Sequence, residues 1–200
     1  MRRFFVKILA FETTDAVASV ALLLDGEVYE TVIDTDRRHA ESVLPAAEAL
    51  LSAHGLRTVD MDAFAADVGP GSFTGVRIGV CMANALGAAH KKPVVAVDAL
   101  ETLAYPYRNE TVCALIDARN GNGYGAVYEN GAAVTPPCAC VIAEFTSDLP
   151  ADCRMTGTAT DDPKLPSAAN VARIAAARTE EKEIAPLYLK LSQAERMWKA

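Results

Sequence analysis

The segment Gly69-Pro70-Gly71-Ser72-Phe73-Thr74-Gly75-Val76-Arg77-Ile78-Gly79 is the part of this sequence best equipped for chemistry. Its glycines permit positive φ and close backbone approach, and a helix starting there aims unpaired N–H groups and partial positive charge at an anion. A phosphate would suit such a turn. The P-loop lysine and the GxGxxG spacing are both missing, however, and Pro70 and Thr74 stand where a nucleophile elbow around Ser72 needs glycines. Ser72 therefore reads as a helix cap. Beyond it, Gly75, Gly79, Ala83 and Gly87 recur every fourth residue, a stripe of small side chains along one side of a helix. Helical glycine costs about 0.5–1 kcal/mol relative to alanine, so the stripe implies close packing. Its spacing fits the chain's own sheet and a second subunit equally well.

The acids form a second candidate set. Glu12 and Asp117 each close an apolar run, where a carboxylate either orients a metal or water beside a nucleotide or caps a loop. With Thr13 and Thr14 they make up the candidate nucleotide-binding residues. Glu101 and His39 are further polar candidates without an obvious partner. His39, His54 and His90 are too widely spaced for one helical turn, and Cys81, Cys113, Cys138, Cys140 and Cys153 include no CxxC pair, so neither a metal site nor a cofactor is expected. The odd cysteine count suits a reducing cytoplasm.

Composition narrows the class. The chain has 200 residues, is 51% hydrophobic and 22% charged, and carries a net charge of −7, which excludes a disordered chain. No apolar run reaches the length of a membrane span, and Lys7 and Glu12 interrupt the N-terminal run, which reads as a strand rather than an export signal. Basic residues outnumber acidic ones only beyond residue 164, so the chain alone is expected to bind nucleic acid weakly.

The elements that must position these residues follow from periodicity. Apolar runs predict strands over Phe4–Glu12 and Ala16–Leu24, and Asp25-Gly26 predicts a tight hairpin into a third strand ending at Asp34. Val43, Leu44, Ala47, Leu50 and Leu51 then share one helical face, with Pro45 in the first turn and Gly55 at the end. A buried strand at Ala63–Val68, a helix at Thr74–His90, a strand at Pro93–Val97 and a short helix near Leu100–Tyr105 complete this part. The chain then begins again: Thr111–Asp117 and Tyr124–Tyr128 read as strands before the turn Asn130-Gly131. Glu12, Asp25 and Gly26 recur 105 positions later as Asp117, Asn130 and Gly131, the mark of a duplicated βββ unit. Two domains, 1–108 and 109–200, are expected. After Pro136-Pro137 the pattern is less regular until a helix at Ala168–Ala177 and a basic tail.

Taken together, Gly69–Gly79, Arg38-His39-Ala40-Glu41-Ser42-Val43-Leu44-Pro45, Lys92–Val97, Ile116-Asp117-Ala118-Arg119 and Pro186-Leu187-Tyr188-Leu189 resemble, in order and spacing, the bacterial TsaB (YeaZ) family. The resemblance covers most of the chain. It implies an α/β fold of the actin-like ASKHA type, built from two related βββαβα-type domains. It also implies a non-catalytic accessory role beside TsaD, which attaches threonylcarbamoyl to the adenosine next to the anticodon of tRNA, with the ATPase TsaE completing the assembly and tRNA reached only through the complex. Family members pair as homodimers or with TsaD through the helices matching Glu41–Ala53 and Thr74–Ala89. The resemblance thus points to Val43, Leu44, Ala47, Leu50, Gly75, Arg77, Gly79, Ala83, Asn84 and Gly87 as partner-interface residues. Ala99 and Leu103 stand where TsaD-like proteins carry metal-binding histidines, which removes the basis of a glycoprotease-like metallopeptidase reading. Glu12 replaces the usual Asp of actin-like enzymes, and Asn84 a lysine common in the family helix. The enzymatic alternative is an actin-like ATP-binding hydrolase or phosphotransferase using Glu12 and Asp117.

Overall fold

The computed structural model describes residues 7–34, 39–178 and 182–189. Strands β1 (Lys7–Glu12), β2 (Ala18–Leu24) and β3 (Glu27–Ile33) form an antiparallel meander. Helix α1 (His39–Ala53) leads to β4 (Ala63–Asp67), which lies parallel to β1, and helix α2 (Phe73–His90) leads to β5 (Val94–Val97), parallel to β4. The first sheet therefore has the order β3-β2-β1-β4-β5. Helix α3 (Ala99–Ala104) and a 3-10 turn at Tyr105–Tyr107 cross to the second unit. There β6 (Thr111–Asp117), β7 (Asn122–Glu129) and β8 (Ala132–Val141) repeat the meander, α4 (Ile142–Thr146) follows, and β9 (Arg154–Gly157) pairs parallel to β6, giving β8-β7-β6-β9. Helix α5 (Ala168–Ala175) is the last regular element among the described residues.

The expected duplication is thus present, and the fold is an α/β arrangement of two related βββαβα-type units. The two hairpins agree in backbone detail. Asp25 and Gly26 have φ of 51° and 93°, Asn130 and Gly131 50° and 77°, the paired positive values that a two-residue turn needs to match strand twist.

Both faces of the first sheet are covered. On one, Leu9, Phe11, Val20 and Leu22 pack with Val43 and Ala47 of α1 and Val76, Val80 and Ala83 of α2. On the other, Ile8, Ala10, Leu23 and Val95 pack with Val171, Ala172 and Ile174 of α5. The alternation of Ile8, Leu9, Ala10 and Phe11 between the two cores is the period of two expected of a strand buried on both sides. In the second sheet, Ala114 and Ile116 face Leu100 and Leu103 of α3, while Cys113 and Leu115 face Ile142 and Phe145 of α4.

Several expectations need correcting. Pro45 lies inside α1, beyond its first turn, where it removes the N–H that would donate to the Glu41 carbonyl. The stretch around Pro136-Pro137 is regular: it forms β8, an edge strand whose register shifts against β7, and an edge is where a sheet tolerates proline. Strand β9 and helix α4 escaped the sequence pattern because each is only one short run. The expected strand start at Phe4 lies outside the described residues. Helix α5, beyond residue 109, packs on the first sheet, and α3, before it, packs on the second.

Candidate functional site

The loop after β1 is locked onto the start of α2. The Thr13 hydroxyl donates to the Gly75 carbonyl at 2.7 Å and accepts from the Gly79 N–H at 3.0 Å, inserting itself into the hydrogen bond those two groups would make within the helix. The Ser72 N–H donates to the Thr14 carbonyl at 2.7 Å. Such closeness requires glycine: a Cβ at Gly71 would sit 2.6 Å from the Thr14 carbonyl oxygen, one at Gly79 2.7 Å from the Thr13 hydroxyl, and one at Gly75 would collide with the Thr13 carbonyl. Gly87, farther along, packs against Val94 of β5. Ser72 caps α2, its hydroxyl accepting from the Gly75 N–H, as its sequence position suggested.

The small-residue stripe is therefore occupied by the chain's own sheet and loop. Of the ten residues expected at a partner interface, Val43, Ala47, Leu50, Gly75, Gly79, Ala83 and Gly87 are buried within the chain and hold the helices to the sheet. Asn84 also faces inward, toward the C-terminal segment: its amide donates to the Ile184 carbonyl at 2.8 Å and accepts from the Ile184 N–H at 3.0 Å. Leu44 and Arg77 remain on the outer surface.

Arg77 is part of an exposed cluster that sequence reasoning did not assemble. Its guanidinium lies 3.8 Å from the centre of the Phe73 ring and donates from Nε to the Tyr188 hydroxyl at 2.9 Å, and the Phe73 and Tyr188 rings stack at 5.5 Å. Tyr188 arrives there because Ile184 inserts into the first core and the Leu187 N–H donates to the Val68 carbonyl at 2.7 Å. Spacing could not reveal a pairing across 111 positions.

The strand-end acids have different surroundings. Glu12 Oε1 accepts from the N–H and hydroxyl of Thr14, both at 2.6 Å, and Asp67 Oδ1 accepts from the Gly69 N–H at 2.8 Å. Neither Glu12 nor Asp67 is more than 1% exposed. They end adjacent parallel strands, and Glu12 Oε2 and Asp67 Oδ2 are both buried without a donor, close enough for each carboxyl to act on the other. Burial, then the Glu12 charge, pushes the Asp67 carboxyl well above the usual carboxylate range, and burial also raises Glu12. Asp67 was missed in the sequence; the available signal was an acid ending an apolar strand, as at Glu12.

Between the two units lies a cleft of about 670 Å³, bounded by Thr14, Asp15, Gly71, Ser72, Thr74 and Ile78 on one side and by Ile116, Asp117, Arg119 and Tyr124 on the other. Thr14 and Asp117 of the candidate nucleotide set thus reach the cleft, whereas Glu12 and Thr13 do not line it. Asp117 Oδ1 accepts from the Arg119 N–H at 2.8 Å, the loop-capping role open to it from the sequence. Glu101 is paired with Arg178. The His39 side chain lies outside the described residues. Ala99 and Leu103 are buried core residues of α3, and among the described residues no group of three or more His, Cys, Asp or Glu side chains could hold a metal.

Fold and cleft together define an α/β protein of two related units whose first-strand acid is sealed away from the cleft. A family model described as TsaD, tRNA N6-adenosine threonylcarbamoyltransferase, matches residues 32–152. The tRNA threonylcarbamoyladenosine biosynthesis protein TsaB of Escherichia coli is 38% identical over 133 residues, 63% of this chain and 58% of that protein. YeaZ from Pseudomonas aeruginosa is 32% identical and superimposes with a TM-score of 0.77, over 92% of this chain and 99% of that one. A second Pseudomonas aeruginosa structure, described as similar to peptidase YeaZ, reaches 0.84 at 29% identity, with the same coverage. The chain belongs to the TsaB (YeaZ) family. Its matched segment spans 51 to 58% of the length of the TsaB proteins from Escherichia coli, Haemophilus influenzae and Bacillus subtilis.

Proposed function

We propose that this protein is a non-catalytic subunit of tRNA threonylcarbamoyladenosine biosynthesis, docking onto a TsaD-like enzyme in the cytoplasm through the outer faces of α1 and α2. Family membership supports the pathway. The observation that supports a scaffold is the burial of Glu12 and Asp67: the first-strand acid and its neighbour lie away from the cleft, bonded to Thr14 and to Gly69 respectively. An acid closed off from solvent on all sides cannot orient water or a nucleotide.

The docking surface is what remains once the inward residues are set aside: Leu44, Phe73, Arg77 and Tyr188, of which Phe73 and Tyr188 are each 48% exposed. Aromatic and arginine side chains on a rigid helix are the groups that anchor protein interfaces. The same face serves a homodimer, so homodimer and TsaD-bound forms compete, while a TsaE-like ATPase and tRNA join only the assembled complex. The test is co-purification of Arg77→Glu and Leu44→Asp variants with the TsaD-like protein. Both sites are exposed, so the variants should fold, and each should lose complex formation; retention by both would refute the surface.

The cleft favours a second reading, binding of a small nucleotide at the start of α2, since Ser72 and Thr74 line it beside the helix end. Calorimetry of the isolated chain with Mg-ATP decides it. Binding lost in Asp117→Ala would support an ATP-dependent activity.

A further inference from the structure

Another cavity, of about 220 Å³, lies where α3 and its 3-10 turn, the β7–β8 turn and α5 converge. Its floor is apolar, formed by Ala104, Ile174 and the rings of Tyr105 and Tyr128. Its charge is positive against the trend of an acidic chain, since three arginines line it and Glu101 is the single acid among its lining residues. Glu101 is already neutralised by Arg178, whose other terminal nitrogen donates to the Ala96 carbonyl at 2.7 Å. Arg108 and Arg173 are left over. Arg108 rests 4.9 Å from the centre of the Tyr105 ring, Arg173 donates only to the neutral Asn170 amide, and neither has a carboxylate partner among the described residues. Two uncompensated guanidinium groups above an aromatic floor are the arrangement that recognises a carboxylate carried on an apolar body.

We propose that this cavity binds a small carboxylate with an aromatic or branched apolar body. The volume is that of about seven waters of liquid, enough for a benzoate-sized molecule and too small for a nucleotide. The ligand would touch α5, which packs on the first sheet, and α3, which packs on the second, so its binding would tie the two units together. This site is separate from the cleft and does not depend on the pathway proposed above.

Amide spectra of the full chain, titrated with sodium benzoate, with benzyl alcohol and with inorganic phosphate, test it. Benzoate is expected to shift the Ala104, Gly131 and Ala177 amides saturably, with benzyl alcohol and phosphate each at least about tenfold weaker. Arg108→Gln combined with Arg173→Gln, both exposed positions, should weaken benzoate by about tenfold or more. No saturable shift up to about 20 mM benzoate would overturn the proposal. So would equal binding of benzyl alcohol, equal binding of phosphate, or unchanged affinity in the double variant.

Discussion

Glu12 and Asp117 occupy the same position in the two units, and each accepts the N–H of the residue two places on, yet Glu12 is 1% exposed whereas Asp117 faces solvent. The cause lies outside the acids. In the first unit, α2 follows β4 through Gly69–Gly71 and settles on the β1–β2 loop, with Thr13 spliced into its backbone. In the second, the helix after β9 packs on the other sheet instead, and among the described residues no equivalent helix covers the β6–β7 loop. Duplication thus copied the strands and turns, while the choice of helix partner decided which acid would be sealed and which would face the cleft.

The difference can be broken first at the glycines. Gly75→Ala pushes a methyl group into the Thr13 backbone, which cannot move without breaking the loop, and should cost about 3 kcal/mol or more in urea unfolding. In the second unit, a Cβ at Gly125 would meet the Phe145 ring at 2.7 Å, and a ring carried on a short helix can swing aside, so Gly125→Ala should cost about 1 kcal/mol. Equal costs would show that the first unit is no more tightly interlocked than the second. Asn84→Ala comes next. It leaves both the N–H and carbonyl of Ile184 without partners, and should cost about 2 kcal/mol and strip hydrogen-exchange protection from the Ile184 and Leu187 amides.

The acids give smaller and more diagnostic effects. Because burial raises the carboxyls of Asp67 and Glu12, the folded chain holds protons that the unfolded chain releases. Their contribution to stability is complete below the ordinary carboxylate range and is lost as pH rises through the raised values. Asp67→Asn keeps a donor toward Glu12 and an acceptor for Gly69 without the titrating proton. It should therefore flatten the fall of melting temperature with rising pH. An unchanged pH profile would mean that the Asp67 carboxyl is not protonated on folding. The smallest effect is expected at Asp117→Asn, within about 0.5 kcal/mol, since the amide oxygen still accepts from Arg119.

Features carried by local rules were legible in the sequence. The paired turns at Asp25-Gly26 and Asn130-Gly131 declared themselves because only a few residue types adopt positive φ there, and the helix face of Val43, Ala47 and Leu50 because burial imposes a period. The Gly75–Gly87 stripe was legible as close packing but not as to its partner, since a sheet and a second subunit ask the same small residues of a helix. Asp67 and the Asn84 clamp were hidden because their meaning is set by groups far away in sequence. Strand β8 was hidden because Pro136-Pro137, breakers in a central strand, are harmless on an edge.

The central claim is that the protein acts through the outer face of α1 and α2 and not through its cleft. Reconstituted threonylcarbamoylation of tRNA by the TsaD-like and TsaE-like proteins, supplemented in turn with the parent, Arg77→Glu and Asp117→Asn chains, measures it directly. The account predicts that Arg77→Glu abolishes stimulation and that Asp117→Asn matches the parent. Full stimulation by Arg77→Glu, with loss in Asp117→Asn, would contradict it.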